Sequence, residues 1–159
     1  MNPPNAFNKN LLKSCNIALN LVNKASLQFL NISSNKFKRF PEELRQFPNL
    51  KSLKLDHNLI KTLPQWLGSS FKSLEILSVS DNLLQDLSFM DSNELKGSLG
   101  VSLRFLDVSF NHIDHIPIQI QHLKDLKALR LHNNDFLCIP TSIRNITNHF
   151  RLVQIHQNR

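Results

Sequence analysis

Apolar residues recur along this chain in a fixed frame. "LRFLDVSFNHIDHIP" (Leu103 to Pro117) and "LKALRLHNNDFLCIP" (Leu126 to Pro140) share Leu at the first and fourth places, an aliphatic residue at the sixth, Asn at the ninth and Ile-Pro at the end. The frame L-x-x-L-x-L-x-x-N-x-L starts at Leu27, Leu50, Leu74, Leu103 and Leu126, with an incomplete copy at Phe150; the spacings are 23, 24, 29, 23 and 24 residues. Column nine reads Asn35, Asn58, Asn82, Asn111, Asn134 and Asn158. Column fourteen reads Phe40, Leu63, Leu87, Ile116 and Ile139, and Pro41, Pro64, Pro117 and Pro140 follow it in four of the five copies.

Columns four and six alternate with polar neighbours, so each copy predicts one short strand with one buried face. A single copy cannot bury its own apolar face, whereas a stack of about three or more can, so the strands are expected to pair in parallel with their neighbours. The asparagine falls where each strand ends. Its amide offers two donors and an acceptor, which suits a ladder of hydrogen bonds to buried backbone groups rather than catalysis. Proline at column fifteen fixes φ and favours a turn or the first turn of a helix on the opposite side.

These frames resemble the leucine-rich repeat over residues 27 to 158, and the proline after column fourteen resembles the "L-P-x-x-I/L-x-x-L" subclass. That subclass includes intracellular Ras-binding scaffolds and their plant relatives. The resemblance implies an α/β solenoid. This would be a curved horseshoe with a short parallel β-strand per repeat on the concave face, and loops, turns or short helices on the convex face. The repeats would be 27–49, 50–73, 74–102, 103–125, 126–149 and a partial 150–159. The implied function is non-catalytic: a scaffold or adaptor whose concave face docks a protein partner, such as a small GTPase or another signalling protein, without a cofactor.

Three stretches depart from the frame. Residues 1–26 are expected to form a disordered start and a helical cap, with Leu11, Leu12, Cys15, Ala18, Leu19 and Val22 at helical spacing. A rival reading places a degenerate repeat over Leu12–Val22, with Asn20 in the ladder column. In the third copy Ser88 replaces proline and extra residues appear within "LSFMDSNELKGSLGVS", which carries Gly97 and Gly100. That stretch reads as a flexible bulge on the convex side or rim, tolerant of deletion. At the other end the last strand, "RLVQI", reads as an open edge, or as the mark of a fragment or of a chain capped by another molecule.

Composition narrows the function classes. Apolar residues make up 41% of the chain, and no run approaches the length of a membrane-spanning helix. The N-terminus lacks the pattern of a secretory signal. Cys15 and Cys138 make no disulfide framework, which points to a reducing, cytoplasmic setting. The sequons at Asn31 and Asn145 then read as chance matches. There is no G-x-S-x-G, Walker A, C-x-x-C or H-E-x-x-H motif, so no enzyme is expected. His132 and His156 share column seven on adjacent predicted strands, but no third ligand is assured and no metal site is assigned.

The concave face should comprise columns two, three, five, seven, eight and ten. Candidate partner-binding residues there are Phe29, Lys54, Ile76, Asp81, Phe105, Asp107, Phe110, Arg130 and His132. Phe105 and Phe110 form an expected aromatic centre ringed by Asp107, Arg130 and His132, an arrangement suited to a protein interface. The formal charge of +7 raises an RNA- or anion-binding alternative. However, column two (Gln28, Lys51, Glu75, Arg104, Lys127, Arg151) is broken by an acid and lacks interleaved aromatics, so a solvated rim is expected. A further alternative is a recognition segment of a larger receptor or enzyme.

Overall fold

The computed structural model describes residues 6–8, 23–91, 93–138, 143 and 151–158. Its strands are β1 (Ala6–Asn8), β2 (Phe29–Asn31), β3 (Ser52–Lys54), β4 (Ile76–Ser78), β5 (Phe105–Asp107), β6 (Ala128–Arg130) and β7 (Leu152–Gln154). They form one sheet in chain order, parallel throughout, the concave lining of a curved α/β solenoid. Columns three, four and five pair with themselves from coil to coil: Phe29 with Ser52, then Ile76, Phe105, Ala128 and Leu152. Leu30, Leu53, Leu77, Leu106 and Leu129, in column four, point into the core and are buried.

The convex side is built from short elements. These are 3-10 helices over Glu42–Gln46, Ser88–Asp91, Asn93–Gly97 and Ile118–His122, and single turns α1 (Leu67–Ser70) and α2 (Leu99–Ser102). Pro41 and Pro117 precede two of them with φ of −66° and −61°. The carbonyls of Pro41, Pro64 and Pro117 each accept the N–H three residues on, at 3.2, 3.0 and 3.1 Å, so each proline opens its turn. Between the layers, Phe47, Phe71, Phe89 and Phe136 fill the core. No helix among the described residues is long and apolar enough to cross a membrane.

The asparagine column forms a hydrogen-bond ladder. Asn111 Nδ2 lies 3.1, 3.1 and 3.0 Å from the carbonyls of Val79, Val108 and Ser109, and its Oδ1 accepts Leu84 N–H at 2.9 Å. Asn58, Asn82 and Asn134 each bond their own coil and the preceding one in the same way. Just before each asparagine, column eight adopts a left-handed backbone. Ser34, His57, Asp81, Phe110, Asn133 and Gln157 have φ between 51° and 56°. That conformation is uncommon for residues other than glycine, and most of all for a bulky ring. It is held from outside: Asp81 N–H donates to Ser109 O and Phe110 N–H to His132 O, both at 3.0 Å. The repeat frame gives no sign of it, although three of the six residues (His57, Asp81, Asn133) are of the types enriched there.

Two expectations need correction. The third-copy insert is not a flexible bulge. Phe89, Met90, Leu95 and Leu99 are fully buried, and Ser98 Oγ donates to Ser69 O at 3.1 Å and Phe71 O at 3.2 Å. A Cβ on Gly100 would sit 2.4 Å from Leu95 O and 2.7 Å from His122 O. The insert packs because it carries its own apolar residues onto α1, so it supplies core rather than solvent-facing chain. At the other end, the expected disordered start holds strand β1: Ala6 pairs with Phe29, one 23-residue period further on, where the edge of β2 offers unpaired backbone groups. The helical cap and its rival reading over 12–22 lie outside the described residues.

Asn111→Leu should lower the unfolding free energy by roughly 1–3 kcal/mol, since it strands several buried backbone groups. The change should appear as a lower urea midpoint with an unchanged slope; equal midpoints would remove the ladder from the account of stability. Gly100→Ala should cost about 1–3 kcal/mol through overpacking. Gly97→Ala, whose new Cβ meets nothing within 4 Å, should melt like wild type. Deleting residues 95–100 should abolish cooperative melting, and a deletion variant that melts sharply near wild type would show the insert to be dispensable.

Candidate functional site: a mixed-charge cleft on the concave face

Columns five, seven and eight of successive coils converge on a cleft of ≈ 360 Å³ lined by His57, Ser80, Asp81, Asp107, Ser109, Phe110, Arg130 and His132. Strands β5 and β6 contribute Asp107 and Arg130; the left-handed turns contribute His57, Asp81 and Phe110. Five of the expected partner-binding residues meet here. Phe105 lies beside the cleft beneath Arg130, whose Cζ is 5.2 Å from the ring centroid. Phe29, Lys54 and Ile76 occupy the same face on β2, β3 and β4, outside the cleft.

The two aromatic rings are not equivalent. Phe110 is 51% exposed, whereas Phe105 is half-buried under the guanidinium. Asp107 is not the exposed rim charge expected from its column; it is buried, with its side chain only 8% exposed. Its Oδ2 lies 3.3 Å from Arg130 Nη1, and its Oδ1 accepts Ser109 N–H at 3.1 Å and Ser109 Oγ–H at 2.6 Å. A buried carboxylate is tolerable when paired and hydrogen-bonded in this way. Ser52 and Ser78 are buried as well, so columns three and five are not uniformly exposed.

Imidazoles border the cleft on two sides. His57 Nδ1 contacts Asp81 Oδ2. His132 stacks on His156 with centroids 4.9 Å apart and planes 5° apart, and meets Phe110 edge-on at 5.2 Å and 82°. Burial pushes the His132 pKa below the ordinary histidine value; Asp107 opposes that shift, and His156 and Arg130 reinforce it. His132 Nδ1 has no hydrogen-bond partner among the described residues, which leaves its desolvation uncompensated.

The columns placed His57, Ser80, Ser109 and Asp56 on the concave face, but none of the four was among the candidate partner-binding residues. Asp56 Oδ1 accepts Ser78 Oγ–H at 2.5 Å, Ser80 N–H at 2.9 Å and Ser80 Oγ–H at 3.0 Å. The available signal was a run of serines at columns five and seven beside an acid, which in-register stacking turns into a cluster.

The leucine-rich repeat family pattern matches residues 26–47 and 102–123. A leucine-rich repeat and calponin homology domain-containing protein of Drosophila melanogaster is 32% identical over 134 residues, covering 71% of this chain and 16% of that protein. Among solved structures, an internalin of Listeria monocytogenes matches with a TM-score of 0.69 at 22% identity, over 84% of this chain and 36% of its own. A leucine-rich repeat protein of Leptospira interrogans matches with a TM-score of 0.59 at 29% identity, over 87% of this chain and 40% of its own. The chain therefore spans well under half the length of each. The repeat pattern, the Drosophila relative and the shared fold show the chain to be a leucine-rich repeat protein.

Proposed function

We propose that the chain is a non-catalytic scaffold or adaptor that docks a protein partner in the cleft between β4 and β6. The observation that carries this reading is Phe110. Its large ring is half exposed and fixed in a left-handed backbone that neighbouring coils over-determine. The same turn recurs at column eight of every copy, so it fixes where the ring sits, and the exposure of the ring is what marks the site. An aromatic with two side-chain torsions loses little entropy on docking, and charges of both signs beside it, Asp107 and Arg130, give specificity. The partner we favour is a signalling protein such as a small GTPase, on the resemblance to the Ras-binding scaffolds. The setting we favour is reducing and cytoplasmic, as the low cysteine content of the sequence suggests.

A second reading, a recognition segment of a larger protein, is favoured by the 16% share of the Drosophila relative that the chain spans. A basic nucleic-acid surface is not favoured. Arg104 of the column-two row is drawn to Glu75 at 3.8 Å, and the exposed ring belongs to the cleft.

Phe110→Ala should weaken partner binding by about 2 kcal/mol or more, roughly thirtyfold, while the melting temperature holds. Lys61→Ala, in an exposed turn outside the cleft, is the control and should be silent. Affinity capture followed by titration of the captured protein reads both. Unchanged affinity in Phe110→Ala would remove the cleft as the docking centre.

A further inference from the structure

The charge balance of the cleft bears on what it takes, an inference that rests on the docking reading above. The chain carries +7 overall, yet the cleft sets two carboxylates, Asp81 and Asp107, against one guanidinium. That guanidinium is already engaged by Asp107 at 3.3 Å and by the Phe105 ring. An anionic ligand would find only a guanidinium that already shares its charge with Asp107, and it would face Asp81 as well.

Asp81 is placed differently. Its side chain is 60% exposed, and the partner it contacts is the equally exposed imidazole of His57. It sits in column eight directly before Phe110 in the stack, and Asn82 N–H donates to Phe110 O at 3.2 Å. Neighbouring coils lie about 4.8 Å apart, so carboxylate and ring stand side by side. A ring face and a carboxylate at that spacing attract the same ligand charge, one through its quadrupole and the other through Coulomb attraction. The serine hydroxyls do not compete: Ser80 Oγ donates to Asp56 and Ser109 Oγ to Asp107.

We propose that the cleft seats a basic side chain, lysine or arginine, of the protein partner, laid over Phe110 with its charge against Asp81. Phe110 is held edge-on by His132, so the aromatic surface is pre-set. Burial disfavours a competing positive charge on His132, which lines the same cleft.

The test is an amide chemical-shift titration of the nitrogen-15-labelled chain at low salt and about pH 8, above the ordinary histidine range. N-acetyl-arginine amide and N-acetyl-lysine amide are the probes, and N-acetyl-glutamate amide is the control. The basic probes should give saturable shifts at Asp81, Phe110 and Asn133, and the glutamate probe none. Asp81→Asn should weaken the fitted affinity at least about threefold, the size of one exposed cation contact, with an unchanged melt. Absence of shifts with the basic probes, equal shifts with the glutamate probe, or an unaltered titration in Asp81→Asn would overturn the proposal. Partner binding separates it from the docking reading. If Phe110→Ala loses the partner and Asp81→Lys keeps it, the docking surface stands and the basic side chain falls. If Phe110→Ala keeps the partner while the probes still bind at Asp81, the cation site stands and the docking surface falls.

Discussion

One side-chain amide per coil holds this molecule in register. A strand of three residues makes few ladder bonds, so each coil needs a further tie to the next. Asn58, Asn82, Asn111 and Asn134 supply that tie by bonding the carbonyl of column six in two coils at once and accepting the column-eleven N–H of the coil before. The bonds lie at buried positions, where an unmade one costs most. Because the amide meets all of these groups together, the spacing and rotation of each coil follow from the last. The left-handed turn at column eight sits inside the same network, so its strain is held by the coils on either side rather than by its own side chain.

That constraint explains how the third repeat carries 29 residues without disturbing the concave face. Ile76 pairs with Phe105 in the same register that joins every other pair of strands, and the surplus is taken up behind the sheet. There Leu95, Leu99 and the side-chain-free Gly100 pack between α1 and the backbone carbonyl of His122. The consequence reaches the cleft. Ser80 and Asp81 precede the insert in sequence and Asp107, Ser109 and Phe110 follow it, so the surplus core buttresses the junction across which the cleft is assembled.

Within the cleft, the charges divide by burial rather than by residue type. Asp107 is buried and satisfied by Arg130 and Ser109, so it orients the guanidinium over Phe105 and is not free to meet a ligand. Asp81, on an adjacent turn, remains in solvent. Two acids of the same family of columns thus take opposite roles, one as an internal anchor and one as a contact.

The repeat period, the six asparagines, the buried leucine columns and the turn-opening prolines were all legible in the sequence, because each depends on residue type at a local spacing and every coil repeats the same solution. The candidate face was legible to the same extent: in-register stacking makes a column of letters into a row of side chains. What tertiary structure alone decided is how far each side chain in a row emerges. Phe105 and Phe110 look alike in the frame, yet Arg130 from the next strand covers the first, while the second rides on a left-handed turn with the edge of His132 beside it. The insert looked like loop because glycine and polar residues mark it, and became core because α1 offers its apolar residues a surface to bury. Exposure is a property of neighbours brought together by folding, and the frame of a single coil does not contain them.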